Sequence, residues 1–235
     1  MEYDAKGPLI KPLLLLGEQA DANYAIRFPN GLLAFELALQ TLHSAIPSAD
    51  TIYISVCDEI QVEAIRFRVE NPGPLFPPHA HSDHDHEATQ SPRLEIIFYN
   101  KTGSFNASST SSAGLHVAHD LFPYVKWLVL GSGYPLLPPP ALQQLILELE
   151  DPVTCFVRED GILEPWLGIW GCEAPKILKT AMGDEVLEVD VLKRVFEEVQ
   201  GKQVKPLREE WLTKPRTKKD WDDAIQINRE IRGVV

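Results

Sequence analysis

At 235 residues, with 44% apolar and 24% charged side chains, the chain is long enough for one large α/β domain or two small ones and apolar enough to form a core. A formal net charge of −12 argues against broad nucleic-acid binding, which needs a basic surface to neutralise phosphates. No apolar run approaches the ~20 residues of a membrane helix, the N-terminus shows no secretion-signal pattern, and Cys57, Cys155 and Cys172 form no CxxC pair, so a cytoplasmic protein with reduced thiols and no membrane contact is expected.

Taken in chain order, Leu13 to Leu16 is a continuous apolar run of strand length, closed by Gly17. Gly31 to Ile46 places Leu32, Phe35, Leu39 and Leu42 at helical spacing, and Pro47 ends it. Thr51 to Cys57 is β-branched and apolar, which predicts a second buried strand, and Ile60 to Val69 reads as a helix. Leu94 to Tyr99 is a third strand. Lys101 to Ala113, rich in Ser, Thr and Gly, reads as a loop before a helix from Gly114 to Phe122. Trp127 to Leu130 is a fourth buried strand, ending in Gly131-Ser132-Gly133-Tyr134-Pro135. Helices follow at Ala141 to Leu149, Pro175 to Ala181, Val189 to Gln200 and Asp220 to Arg232, with strands at Val153 to Val157 and Trp166 to Trp170.

Strands alternating with helices imply a three-layer α/β fold: one mainly parallel sheet with helices on both faces, spanning 1–235 as a single domain. Ligands in such sheets sit beyond the carboxyl ends of the strands, which directs attention to the loops after Leu16, Cys57, Tyr99 and Leu130. The stretch 71–93 interrupts the pattern. Five prolines, four histidines (His79, His81, His84 and His86) and the acidic Asp83, Asp85 and Glu87 read as an exposed, disordered insertion. Zn²⁺ or Ni²⁺ would need a fixed tetrahedral set that so polar a segment does not supply, so no metal site is assigned there.

The charge is uneven. From Lys193 to Arg232, 11 Lys and Arg stand against 8 Asp and Glu, so a mildly basic end follows an acidic body. That end is either an anion site or a solvated surface. His116 and His119 lie one helical turn apart with no third ligand in view, which favours surface or core histidines over a metal pair. Cys57 follows a strand without a partner histidine in sequence context and reads as a small buried residue.

The order of pieces resembles the molybdenum cofactor guanylyltransferase (MobA-like) family of nucleotidyltransferases. Leu13-Leu14-Leu15-Leu16-Gly17 is similar to that family's opening strand. Gly31-Leu32-Leu33-Ala34-Phe35-Glu36 is similar to its Gly-x-Pro-Leu start of the first helix, and Ala113-Gly114-Leu115 to its Gly-Pro-Leu turn. Trp127 to Leu137 resembles the strand that carries Asp-x-Pro. Gly161-Ile162-Leu163-Glu164-Pro165-Trp166-Leu167 resembles the Gly-x-x-Glu-Pro segment, and Pro215-Arg216-Thr217-Lys218-Lys219-Asp220 sits where the terminal Asn-x-Asn-Thr-Pro-x-Asp belongs.

The resemblance implies a Rossmann-like, nucleotide-diphospho-sugar transferase-like fold. It implies transfer of a nucleoside monophosphate from GTP or another nucleotide to a phosphorylated acceptor such as molybdopterin. Residue by residue, it implies nucleotide-binding roles for Gly17, Arg27, Gly114, Ser132 and Tyr134, and substrate-binding roles for Glu164, Lys214 and Arg216. Outside the resemblance, Glu164-Pro165 also reads as a strand-start turn, and Ser132 and Tyr134 as ordinary loop polarity. The motifs depart from the family in three places. Gly17 is followed by Glu18 and Asp21 where a phosphate loop should carry cations. Gly133 stands where the metal-binding aspartate belongs, and Lys214 and Arg216 stand where two asparagines belong. The oxygen ligands that Mg²⁺ prefers are therefore missing on both sides, and no catalytic residue is assigned. The alternative is a non-catalytic descendant that binds a protein partner or a small ligand.

Overall fold

The computed structural model describes residues 9–16, 25–57, 59–72, 75–76, 91–99, 110–174, 176–177 and 188–232. The elements are β1 (Ile10–Leu15), α1 (Ala34–Ala45), β2 (Thr51–Val56), α2 (Glu59–Glu70), β3 (Arg93–Phe98), α3 (Thr110–Leu121), β4 (Lys126–Gly131), α4 (Pro139–Leu147), β5 (Val153–Val157) and β6 (Leu163–Trp170). They are followed by α5 (Glu188–Glu198), β7 (Lys202–Val204), a 3-10 helix (Glu209–Leu212) and α6 (Lys218–Arg232).

All seven strands join one sheet in the order β3-β2-β1-β4-β6-β5-β7. The pairs β1/β2, β2/β3, β1/β4 and β5/β7 are parallel, and β6 alone runs against its neighbours β4 and β5. The sheet is thus mainly parallel, as the alternation of strands and helices predicts. Parallel central strands are covered on both faces and read as continuous apolar runs. Leu13 and Leu14 of β1 and Leu128 and Val129 of β4 are fully buried in adjacent register, Leu13 opposite Val129. Each such side chain contributes roughly 1.5–3 kcal/mol of hydrophobic stabilisation. In β2, Tyr53 meets Phe122 at the end of α3, and Ser55 lies against Gly114 of α3. Alternation turns Ile52 and Ile54 to the opposite face, and they too are fully buried. On one side α1 packs on α4, and on the other α3 packs on α5.

Three expectations change in detail. Helix α3 begins at Thr110 rather than Gly114, so a Ser/Thr-rich stretch read as loop is helical from there on. Strand β6 begins at Leu163, before Pro165. The register with β5 slips between Cys155 and Phe156, so that Phe156 faces Glu164 and Cys155 faces Gly168, and this slip accommodates the proline. Leu75 and Phe76 are buried against α1, where Gln40 donates to the Leu75 carbonyl and Phe76 meets His43 edge-on, so the exposed insertion does not include these two residues. The histidine-rich part of that insertion, 77–90, lies outside the described residues, as do Gly17 and most of the helix expected from Pro175 to Ala181. His116 and His119 are both buried on α3, and all three cysteines are free thiols. Among the described residues no helix is long and apolar enough to cross a membrane.

Candidate functional site

The carboxyl ends of β1 and β4 lie side by side, and the turn after β4 is tied to the end of β1. The Ser132 N–H donates to the Leu15 carbonyl at 3.0 Å, and the Ser132 hydroxyl donates to the Leu16 carbonyl at 3.2 Å. Gly131 packs between Trp166 and the Tyr134 ring: a Cβ added there would be in van der Waals contact with Trp166 Cβ and Tyr134 Cε2, at 3.4 Å from each. The turn is held from the other side by Asn228 of α6, which donates to the Pro135 carbonyl.

Tyr134 is buried beneath this turn and donates its hydroxyl to Glu164 Oε2 at 2.6 Å. Burial first, and the Glu164 charge second, hold the phenol well above its ordinary pKa, so it stays a hydrogen-bond donor. The other Glu164 oxygen faces Arg158 Nη1 at 3.4 Å. That guanidinium also donates to the Leu212 carbonyl at 3.3 Å and pairs with Glu209 at 3.6 Å. Arg158, at the end of β5, therefore fastens the 3-10 helix to the β5–β6 turn.

This fastening places the segment that follows. Trp211, Leu212 and Pro215 are buried, while Lys214 and Arg216 between and beside them are exposed. Thr217 and Asp220 then form a reciprocal cap on α6. The Thr217 hydroxyl accepts from the Asp220 N–H at 3.2 Å, and Asp220 Oδ2 accepts from the backbone N–H groups of Thr217 (2.9 Å) and Arg216 (3.0 Å). Those backbone hydrogen bonds hold the Asp220 carboxyl below its usual range. Fixed from both directions, Lys214 lays its stem over Gly133. A Cβ built on Gly133 would sit 3.3 Å from Lys214 Cε and 3.6 Å from Cγ. The ammonium lies 5.9 Å from the centroid of the Tyr134 ring, within cation–π range.

The structure thus brings Ser132, Tyr134, Glu164 and Lys214 into one cluster and adds Arg158, which sequence reasoning missed. A lone arginine at a strand end carries no motif; the signal that could have found it is a charge at the carboxyl end of β5 before the Glu159-Asp160-Gly161 turn. Arg27 lies on the stretch before α1. Its guanidinium donates to the carbonyl of Gly31, whose φ of +85° closes a turn that suits glycine. The neighbouring Phe28 meets Trp221 of α6 edge-on, which sets this turn beside the first turn of that helix. Gly114 lies within α3, where any side chain would overlap the Ser55 hydroxyl, so it serves close packing of α3 on β2. Arg216 contributes its backbone N–H to the Asp220 carboxylate.

Comparison with solved structures matches this architecture over nearly the whole chain. Molybdopterin-guanine dinucleotide biosynthesis protein A from Archaeoglobus fulgidus superposes with a TM-score of 0.62 at 17% identity, covering 94% of this chain and 99% of its own. A 4-diphosphocytidyl-2C-methyl-D-erythritol synthase from Anaerococcus prevotii gives a TM-score of 0.65 at 13% identity, covering 95% and 100%. The chain has the nucleotidyltransferase fold. A nucleotidyl transferase from Methanothermobacter thermautotrophicus carries the same architecture, with a TM-score of 0.62 at 12% identity over 94% of this chain and all of its own. No protein-family model matches the sequence, and no curated protein does. At such low identity the likeness fixes the nucleotidyltransferase fold and leaves activity to the residues of the site.

Proposed function

We propose that this chain is a divergent, MobA-like protein that binds a nucleotide or a related phosphorylated small molecule in the crevice beyond the carboxyl ends of β1 and β4, without transferring it efficiently. The observation that carries this reading is the seating of Lys214 over Gly133, beside Tyr134 and the Ser132 turn. It puts a cation where open α/β sheets bind ligands. A phosphate next to an ammonium at ~4 Å gains about 4 kcal/mol before desolvation at intermediate dielectric, which solvent screening of so exposed a lysine reduces to about 1 kcal/mol per contact.

The residues present do not fit the divalent ion that the family resemblance implies. Gly133 offers no carboxylate, and the Lys214 stem covers the ground a side chain at 133 would use. The Asp220 oxygen nearest the segment accepts two backbone N–H groups, and both Glu164 oxygens face Tyr134 and Arg158. An ammonium supplies charge and N–H donors but does not polarise a phosphoryl group as a divalent ion does, so binding exceeds catalysis in this reading.

The test is a thermal titration of the purified chain with GTP, CTP and UTP, run beside an assay for pyrophosphate release in the presence of a phosphorylated acceptor. At a ligand concentration about 100 times Kd, binding adds about 2.7 kcal/mol to stability. The reading expects a saturable rise in Tm with at least one nucleotide and no pyrophosphate release above background. Absence of any nucleotide-dependent shift, or rapid Mg²⁺-dependent release, contradicts it.

A further inference from the structure

We infer that the Lys214 ammonium replaces a divalent cation in this crevice, and that Gly133 is the matching half of the replacement, so the chain holds its ligand's phosphates as a metal-free complex. This inference deepens the reading of the crevice as an anion site and rests on it.

Space is the first argument. The Cγ, Cδ and Cε carbons of Lys214 all lie within 4 Å of the position a Cβ at residue 133 would take. A carboxylate at 133 and this lysine stem cannot both keep their places without the lysine moving or the two charges pairing. A glycine at 133 leaves the lysine stem the path it takes here. Charge is the second argument. A divalent ion on one carboxylate presents one net positive charge to a phosphate, and a glycine with one ammonium presents the same. The phosphate meets similar electrostatics from a centre that is covalently attached and needs no oxygen ligands.

Position is the third argument. A lysine side chain loses rotamer entropy when fixed, and that loss shrinks when its route is already lined. Here the backbone is pinned on one side by Arg158, which donates to the Leu212 carbonyl, and on the other by buried Pro215 and the Thr217–Asp220 cap. The ammonium faces the Tyr134 ring, whose hydroxyl donates to a carboxylate, an arrangement that keeps the ring electron-rich and still.

Two probes test the inference on the full chain: inorganic pyrophosphate and GTP, titrated calorimetrically in EDTA and again in Mg²⁺. Affinity in Mg²⁺ no higher than in EDTA is expected for the unaltered chain, because Mg²⁺ in solution competes for the same phosphates. Lys214→Ala should weaken both probes roughly tenfold or more, the scale of a lost charge-assisted hydrogen bond, while Lys214→Arg should retain most of the binding. The double variant Gly133→Asp with Lys214→Asn should bind GTP only when Mg²⁺ is present. Binding by the unaltered chain that requires Mg²⁺ overturns the inference while leaving the anion-site reading intact, and Lys214→Ala binding as tightly as the unaltered chain overturns the inference and removes Lys214 from the anion site. Failure of the unaltered chain to bind either probe in either buffer overturns both.

Discussion

The two sides of the turn after β4 differ in construction. On one side, β1, β2 and β4 are parallel and largely apolar toward their carboxyl ends, with Lys11 and Lys126 at the amino ends, and the turn after β4 is held by backbone and hydroxyl hydrogen bonds at Ser132. On the other, the buried strands β5 and β6 carry at their ends a chain of charges, half-buried Arg158 and Glu209 and buried Glu164, tied together by long-range contacts, with the exposed Lys214 beyond them. The first wall supplies stability and very little chemistry. The second supplies a cluster of charges at the carboxyl end of β5. Substitutions should therefore separate the two: large losses of stability with the site chemistry intact on one wall, and altered binding with small stability changes on the other.

The largest effect is expected in the apolar wall. Leu14→Ala removes a fully buried side chain flanked by two strands and should lower the unfolding free energy by about 3–5 kcal/mol in urea denaturation. In the buried middle of β6, behind the charged wall, Gly168→Ala should cost about 1–3 kcal/mol, because its Cβ would overlap Cys155 Sγ and sit 2.8 Å from the Thr154 carbonyl oxygen, which is backbone and cannot step aside. In the charged wall, Glu164→Ala leaves the buried Tyr134 hydroxyl without its acceptor, and a loss of about 1–3 kcal/mol is expected with the same method. A change at Glu164 as damaging as Leu14→Ala would mean that the two walls are not distinct.

Smaller effects sharpen the picture. Thr217→Ala removes the cap of α6 and should cost about 1 kcal/mol. Acidification should act in two steps, read as Tm against pH. His119 is held below its ordinary value of 6.5, mainly by burial, with the His116 and Lys176 charges adding to the effect and Asp120 opposing it. The unfolded chain therefore binds that proton more readily, so stability from neutral His119 is full above about pH 6.5 and declines as pH falls through that value toward the folded pKa. Asp220 is held below its ordinary 3.8 by backbone N–H donors, so its contribution is present above about pH 4 and is lost below it. His119→Leu should remove the first step and leave the second. Smallest of all, Lys214→Ala should leave Tm within about half a kcal/mol of stability, as for exposed positions away from the core, even as binding falls.

The two walls also differed in how well they could be read from sequence. Leu13 to Leu16, Thr51 to Cys57 and Trp127 to Leu130 announce themselves, because strands buried on both faces must be continuously apolar. The charged wall offers no such signal. Strand β7 has three residues and a single buried side chain, Val204, and the 3-10 helix is held by an arginine from a distant strand. Pro165 hid the start of β6, because a proline inside a strand needs the register slip that only pairing with β5 reveals. Glu164, Lys214 and Gly133 could each be singled out by resemblance, yet the seating of the lysine stem on the glycine depends on packing that no local pattern encodes. Gly114 shows the converse: a glycine that matches a turn motif in sequence serves helix–strand packing in the structure.

The central claim, that Lys214 meets the ligand phosphates directly, is tested most simply by ¹H–¹⁵N NMR of the lysine side-chain ammonium groups during a pyrophosphate titration in EDTA. The account predicts that the Lys214 ammonium resonance, assigned by its loss in Lys214→Ala, shifts saturably with the midpoint found by calorimetry. A Lys214 resonance that stays in place while pyrophosphate binds, or that moves only after Mg²⁺ is added, would contradict it.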